Sequence, residues 1–249
     1  MTDPGAGKLT AVLAHPDDEM GFAPVLAHYA ARGAEVRLVC VTSGQKGFRS
    51  HTEIRQVEKL VEVREAELRE ASRILGLEPP VLLGFVDQEL WGGKQEEVRR
   101  ALAGTLESLD PQVVLTFGPD GVTGHPDHRA VSCFVTEILQ ARRQPDVRLY
   151  YHALTLEDVD RFARRTGRRL LGVADPHLTT RIRVSPEELD RGLRAVGQYR
   201  SQFAPEVMEE LQEVFRANGT EIWFRRVLPG ASPAQPVEES LFGEAAEEG

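Results

Sequence analysis

Two short tracts hold most of the side chains that could do chemistry: Ala14-His15-Pro16-Asp17-Asp18-Glu19 and Gly124-His125-Pro126-Asp127-His128. Each mixes imidazoles with carboxylates, and each follows an apolar run that reads as a strand, Leu9 to Ala14 and Gln112 to Phe117. His15 and Asp18 stand three residues apart, as do His125 and His128. At the start of a helix that spacing puts two side chains on one face. The proline after the first histidine of each tract suits the first position of a helix. Two histidines and a carboxylate meeting at one sheet edge make a three-ligand site with an open position, the pattern of a catalytic rather than a structural zinc. His15, Asp18 and His128 are the expected metal ligands. Zinc suits imidazole and carboxylate, and ferrous iron or cobalt would be accepted by the same donors.

The roles of the remaining groups follow from that centre. Asp17, beside ligand Asp18, is the candidate general base for a water whose pKa the metal lowers; its other reading is a helix cap. His125 is the candidate electrophile and general acid, with a fourth metal ligand or a cap as its alternatives. Asp127 is expected to pair with His125 and raise its pKa, or else to cap the helix. Glu19 reads equally as a supporting residue or a plain first-turn acid.

These tracts must be carried by elements that bring them together. Strand patterns alternate with helical ones: strands at Ala34 to Thr42, Val81 to Phe85 and Val147 to Leu154, and helices at 53–75, Lys94 to Leu109 and 127–142. That order predicts an α/β fold, a Rossmann-like and mostly parallel sheet with helices on both faces. A C-terminal elaboration follows, with strands at Thr180 to Val184 and Glu221 to Leu228 and helices near 186–199 and 205–217. In such a sheet, ligands bind outside the carboxyl ends of the strands.

The chain has 249 residues, 41% of them hydrophobic, 28% charged, and a net charge of −9. That is enough for one α/β domain, expected over residues 1–228. Residues 229–249 carry five glutamates and no Lys or Arg, and read as an acidic, disordered tail, with Leu241-Phe242 as the one feature that could dock. An acidic protein is a poor partner for nucleic acid. No apolar run approaches a membrane span of roughly 18 residues. Cys40 and Cys133 lack the spacing of a disulfide or metal motif and read as buried thiols of a cytoplasmic protein.

The two tracts resemble the motifs of the LmbE-like, or PIG-L, zinc-dependent N-deacetylases: Ala-His-Pro-Asp-Asp-Glu at 14–19 and His-Pro-Asp-His at 125–128. Weaker likenesses run from about residue 9 to about residue 228: the Thr42-Ser43-Gly44 to Gly47 loop, Arg64 and Glu67, Leu83-Gly84-Phe85 with Asp87, and Arg200-Ser201-Gln202. The resemblance implies removal of acetyl from a small N-acetylated amino sugar, an N-acetylglucosamine conjugate, and assigns the metal to the same three residues. It makes Arg64 and Asp87 substrate-binding residues. Their residue-level alternatives are a helix-surface ion pair and a turn. Trp91 and Phe48 could wall a sugar face or pack in the core. The sequence departs from relatives at Thr123 (a tyrosine in some), Tyr199 (often histidine) and Gln45 (commonly acidic), which leaves the identity of the substrate open. A homo-oligomer is compatible with this reading.

Two other classes compete. A metal phosphoesterase would want a second metal at about 3.5–4 Å. A nucleotide-binding module would want closely spaced glycines after the first strand, where this chain has His-Pro-Asp-Asp-Glu.

Overall fold

The computed structural model describes residues 7–47, 51–141, 146–230 and 235–243. Five strands build the parallel part of one sheet: β1 (Lys8–Leu13), β2 (Glu35–Thr42), β3 (Val81–Phe85), β4 (Val113–Phe117) and β5 (Arg148–Ala153). β6 (Thr180–Arg183) and β7 (Glu221–Leu228) complete the order β3-β2-β1-β4-β5-β7-β6, with β7 antiparallel to both neighbours. β1 and β4 are buried from end to end apart from Lys8. Unbroken apolar runs of this kind are what a sheet covered on both faces requires.

The helices are α1 (Ala23–Ala31), α2 (Val57–Leu75), α3 (Gln95–Leu109), α4 (Pro126–Ala141), α5 (Leu156–Thr166), α6 (Pro186–Val196) and α7 (Pro205–Asn218). α1, α2 and α6 pack on one another, α3 packs on α4, and α5 on α7. α6 begins with a reciprocal cap: Ser185 Oγ accepts from Glu188 N at 3.2 Å, and Glu188 Oε2 accepts from Ser185 N at 2.7 Å. Glu188 also binds His28 of α1 and Arg32 just after it, at 3.1 and 2.6 Å, which fastens the two helices together.

The strand order reverses between β1 and β4, which are hydrogen-bonded neighbours (Leu9 opposite Val113). Chain leaving β1 turns one way and chain leaving β4 the other, so a crevice opens at their carboxyl ends. Both motif tracts begin there.

Three expectations change. The first tract does not open a helix directly. Asp17 adopts a left-handed conformation (φ 109°), a short 3₁₀ turn follows at Asp18–Gly21, and α1 begins at Ala23. α5 has no counterpart in the sequence reading, because its apolar stripe is short and Phe162 is its one buried residue. The tail is not solvated over residues 235–243. Leu241 is fully buried; its N–H donates to Tyr29 Oη at 2.8 Å, and its carbonyl accepts from Tyr150 Oη at 3.0 Å. Phe242 packs on Tyr29, and the Glu238 backbone pairs with Thr179 and Arg181 along the β6 edge. Burial of two apolar side chains and counterions for Arg181, Arg183 and Arg226 hold the segment down. Residues 244–249 lie outside the described residues.

Candidate metal centre and active site

His15 leaves β1 and His128 sits in the first turn of α4, so neighbouring strands deliver them to one point. His15 Nδ1 lies 3.2 Å from His128 Nε2. Asp18 closes the triangle, with Oδ2 3.3 Å from His15 Nδ1 and Oδ1 3.1 Å from His128 Nε2. Tetrahedral ligands at zinc's usual bond length of about 2.0–2.1 Å stand about 3.3 Å apart. The three donors therefore have the spacing that one small cation demands.

The outer nitrogens fix the tautomers. His128 Nδ1 donates to Gly121 O at 2.9 Å, with Thr123 Oγ1 at 3.2 Å, and its ring stacks on Phe117 at 4.1 Å between centroids. His15 Nε2 donates to Asp127 Oδ2 at 3.1 Å. Each ring thus turns a bare lone pair inward, toward the other and toward a carboxylate, an arrangement that needs a cation at its centre. With a proton as that cation, burial lowers the His15 pKa, but Asp18 and Asp127 outweigh it and push it up to about 10. For His128, burial likewise opposes Asp18, and the carboxylate prevails, raising the pKa. A metal takes the same place by displacing the proton.

Asp127 is where the structure corrects the sequence. Its carboxylate lies 3.9 Å from His125 Nδ1 but 3.1 Å from His15 Nε2, and it accepts from Gln88 N at 2.6 Å. It orients His15, and the upward pull of its charge on the pKa of His125 is outweighed. Desolvation, then the neighbouring imidazoles His15 and His128, lower the pKa of His125. His125 Nδ1 accepts from Asp127 N at 3.2 Å, so the neutral ring carries its proton on Nε2. Its side chain is 33% exposed, against 10% or less for His15, Asp18, Asp127 and His128, and so it faces the mouth. His15, His125 and His128 all present ring nitrogens within 4.8 Å of one another, so His125 could also supply a further donor.

Asp17 lies beside the triangle. Burial raises its pKa to about 6, against the pull of Arg64 and with help from Asp18. Arg64 reaches it from α2 at 3.2 Å and also donates to Pro16 O at 2.5 Å and Gly44 O at 3.1 Å. At 2% exposure Arg64 is buried, and it positions the Asp17 turn. Asp87 is buried too. Both of its oxygens accept from Lys46 N, at 3.1 and 2.9 Å, so it shapes the loop after β2 and does not reach outward. A Cβ at Gly47 would stand 2.3 Å from Arg64 and 2.4 Å from Gln202, so any side chain there would displace the ends of both. Trp91 is 45% exposed with its indole N–H on Pro126 O at 3.2 Å, beside the start of α4. Phe48 lies outside the described residues.

Sequence reasoning missed two supports and left the partners of others open. Gln88 N and Gly121 O are backbone groups with no residue-type signal. Glu19 is fully buried and accepts from Tyr199 Oη, which ties the Asp17–Asp18 turn to the Arg-Ser-Gln segment. Ser201 in that segment bonds Glu67 of α2 through its N–H at 2.8 Å and its hydroxyl at 2.6 Å. Asp17, Gln88 and Val122, three of the four non-glycine residues with positive φ among the described residues, all lie in the loops around this centre. Strain held at such a place is a mark of a working site.

A family model described as PIG-L, GlcNAc-PI de-N-acetylase, matches residues 10–139. A Bacillus anthracis protein named "Probable N-acetyl-alpha-D-glucosaminyl L-malate deacetylase 2" is 30% identical over 204 residues, which cover 81% of this chain and 84% of that one. The chain belongs to the PIG-L family. Membership makes it a hydrolase of the N-deacetylase class. A Mycobacterium bovis 1D-myo-inositol 2-acetamido-2-deoxy-alpha-D-glucopyranoside deacetylase is 35% identical over 142 residues, 49% of this chain and 47% of that relative, so the match spans about half of its length. The N,N'-diacetylchitobiose deacetylase of Pyrococcus horikoshii superposes with a TM-score of 0.70 at 21% identity, covering 89% of this chain and 84% of that one; the two share a fold. No helix among the described residues is long and apolar enough to cross a membrane.

Proposed function

We propose that this PIG-L protein removes the acetyl group from an N-acetylated amino sugar, an N-acetylglucosamine conjugate, with one divalent ion, zinc by the nature of its donors, held by His15, Asp18 and His128. The observation that supports this best is the triangle of inward-facing bare donors with a proton-accepting carboxylate, Asp17, beside it. When bound, zinc supplies Lewis acidity for the acetamide carbonyl and lowers the pKa of a water towards about 7.

The chain's own residues do the rest. Asp17 takes a proton from the attacking water, and Arg64 holds that carboxylate in place. Asp127 keeps His15 in the tautomer that leaves Nδ1 free. His125 donates its Nε2 proton as a hydrogen bond to the carbonyl oxygen as negative charge gathers there. The proton on Asp17 passes to the departing nitrogen, which also takes the water's second proton, so acetate and a protonated amine leave and the carboxylate is restored. A phosphoesterase with two ions would need a second donor cluster; one such group occurs among the described residues. We place the protein in the cytoplasm, in keeping with its two free thiols.

The test is release of free amine from a panel of N-acetylated sugars by metal-loaded and metal-stripped protein. Turnover of N-acetylglucosaminides that vanishes on stripping and returns with zinc is the expected result. Hydrolysis of phosphate esters with no amine released from any sugar would overturn the reading.

A further inference from the structure

The turn that carries Asp17 and Asp18 is strained and has to be held from outside. Asp17 sits at φ 109°, a conformation that persists only where the surroundings over-determine it. α2 holds one side of the turn: Arg64 reaches Asp17 at 3.2 Å and donates to Pro16 O at 2.5 Å. The segment after α6 holds the other side. Tyr199, fully buried, donates its hydroxyl to Oε1 of Glu19, the residue directly after Asp18. Glu19 Oε2 has no hydrogen-bond partner among the described residues, so the phenol is the contact that holds this buried carboxyl.

The two holds are joined. Arg64 and Glu67 stand three apart on α2 and share a face. Glu67 accepts from Ser201 N at 2.8 Å and from Ser201 Oγ at 2.6 Å, two residues after Tyr199. Gln202 then comes up beside Arg64, as their shared approach to Gly47 shows. Contacts therefore run in a closed ring: from Asp17 to Arg64, along α2 to Glu67, across to Ser201, back to Tyr199, and through Glu19 to the turn. Arg64, Ser201, Tyr199 and Glu19 are each 3% exposed or less. A buried ring closed on itself leaves the turn few ways to relax.

We propose that Tyr199 is a positioning residue for the reaction. Its bond to Glu19 closes the ring, and the ring keeps the Asp17 carboxylate in fixed relation to the donors of His15, Asp18 and His128. The inference rests on the deacetylase reading above, in which Asp17 takes the water's proton and Asp18 is a metal ligand. Tyr199 acts through Glu19, one residue from Asp18 and two from Asp17. Without the hydroxyl, Glu19 stays buried but loses its donor. The strained turn then shifts toward ordinary backbone angles and carries both aspartates with it.

Tyr199→Phe removes the hydroxyl and keeps the ring. Two measurements read it: zinc affinity by competition with a chromogenic chelator, and kcat and KM for amine release from an N-acetylglucosaminide at saturating zinc. Zinc affinity and kcat should each fall roughly 10-fold or more, as when groups that orient a metal ligand are lost. KM should stay within about twofold, because no contact with the sugar is removed. Ser201→Ala opens the ring at its other arm and should shift zinc affinity and kcat the same way, by less. Glu19→Leu should match Tyr199→Phe, and the double variant should be no worse than either alone. Glu19→Gln, which keeps an acceptor for the phenol, should lose less. Leu241→Ala controls for stability alone. Wild-type zinc affinity and kcat in Tyr199→Phe, the same losses in Leu241→Ala at an equal drop in Tm, or additive losses in the double variant overturn the positioning role. No amine from any sugar with the wild type overturns the deacetylase reading, and the zinc affinities then decide the ring by themselves.

Discussion

The sharpest feature at the scale of single residues is how carboxylates divide their work. Asp18 faces the inner nitrogens of His15 and His128, Asp17 faces Arg64, and Asp127 faces His15. The residue types and spacing made His15, Asp18, His128 and Asp17 legible, because few roles explain His-Pro-Asp-Asp and His-Pro-Asp-His at two strand ends. The partner of Asp127 was not legible. Which of two nearby imidazoles a carboxylate meets depends on a rotamer and on Gln88 N, and neither leaves a trace in sequence. Arg64 and Asp87 were found as residues, but their partners, the Asp17 turn and the Lys46 backbone, were not, because a motif reports neither burial nor hydrogen bonds. The Asp17–Arg64 pair has a testable consequence. Asp17 works as a base only when ionised, so activity falls as pH drops through its pKa. Burial lifts that pKa to about 6, and a bound cation would hold it lower. Arg64 pulls the same value down, so removing its charge must raise it. Arg64→Met should move the acid limb of the pH–rate profile to higher pH, and Arg64→Lys should leave it nearer the wild-type position. An identical limb in all three proteins would show that Arg64 does not act through Asp17.

At the scale of elements, strands were easy to see because buried parallel strands are unbroken apolar runs. β7 has the expected bounds, and β3 does too. Helices with a clear buried stripe, such as α2 with Leu60, Leu68, Ala71 and Leu75, were also visible. α5 was not, since only Phe162 of its apolar residues is buried and its start is set by a local cap, Thr155 Oγ1 accepting from Asp158 N at 3.0 Å. The packing of α6 on α1 depends on a glycine that carried no signal by itself. A Cβ at Gly192 would stand 2.6 Å from the Pro24 ring and 2.8 Å from its backbone nitrogen. Proline at a helix start cannot yield, so Gly192→Ala should cost about 1–3 kcal/mol. Thermal or urea unfolding checks this. A variant as stable as the wild type would mean that α1 and α6 separate more easily than their contacts suggest.

At the scale of the molecule, the two edges of the sheet do different work. The carboxyl edge holds the site. Near the opposite edge the 235–243 segment packs beside Gly7 and Arg148, at the starts of β1 and β5. Composition marked that segment as a solvated tail, because Pro, Ala, Glu and Gly outnumber its two apolar anchors. Leu241 in its buried pocket outweighs that composition locally. Leu241→Ala should therefore lower stability by about 2–5 kcal/mol, seen as a drop in Tm. Metal content should not change, since the site lies across the sheet. An unchanged Tm would mean that the segment does not hold to the body.

The central claim is that His15, Asp18 and His128 together hold the one metal ion on which deacetylation depends. Elemental analysis of the purified wild type and of His15→Ala, Asp18→Ala and His128→Ala tests it most directly, because three ligands leave no redundancy. The account predicts about one divalent ion per wild-type chain and a small fraction of that in each variant, with the fold retained. A full equivalent of metal in all three variants would contradict it.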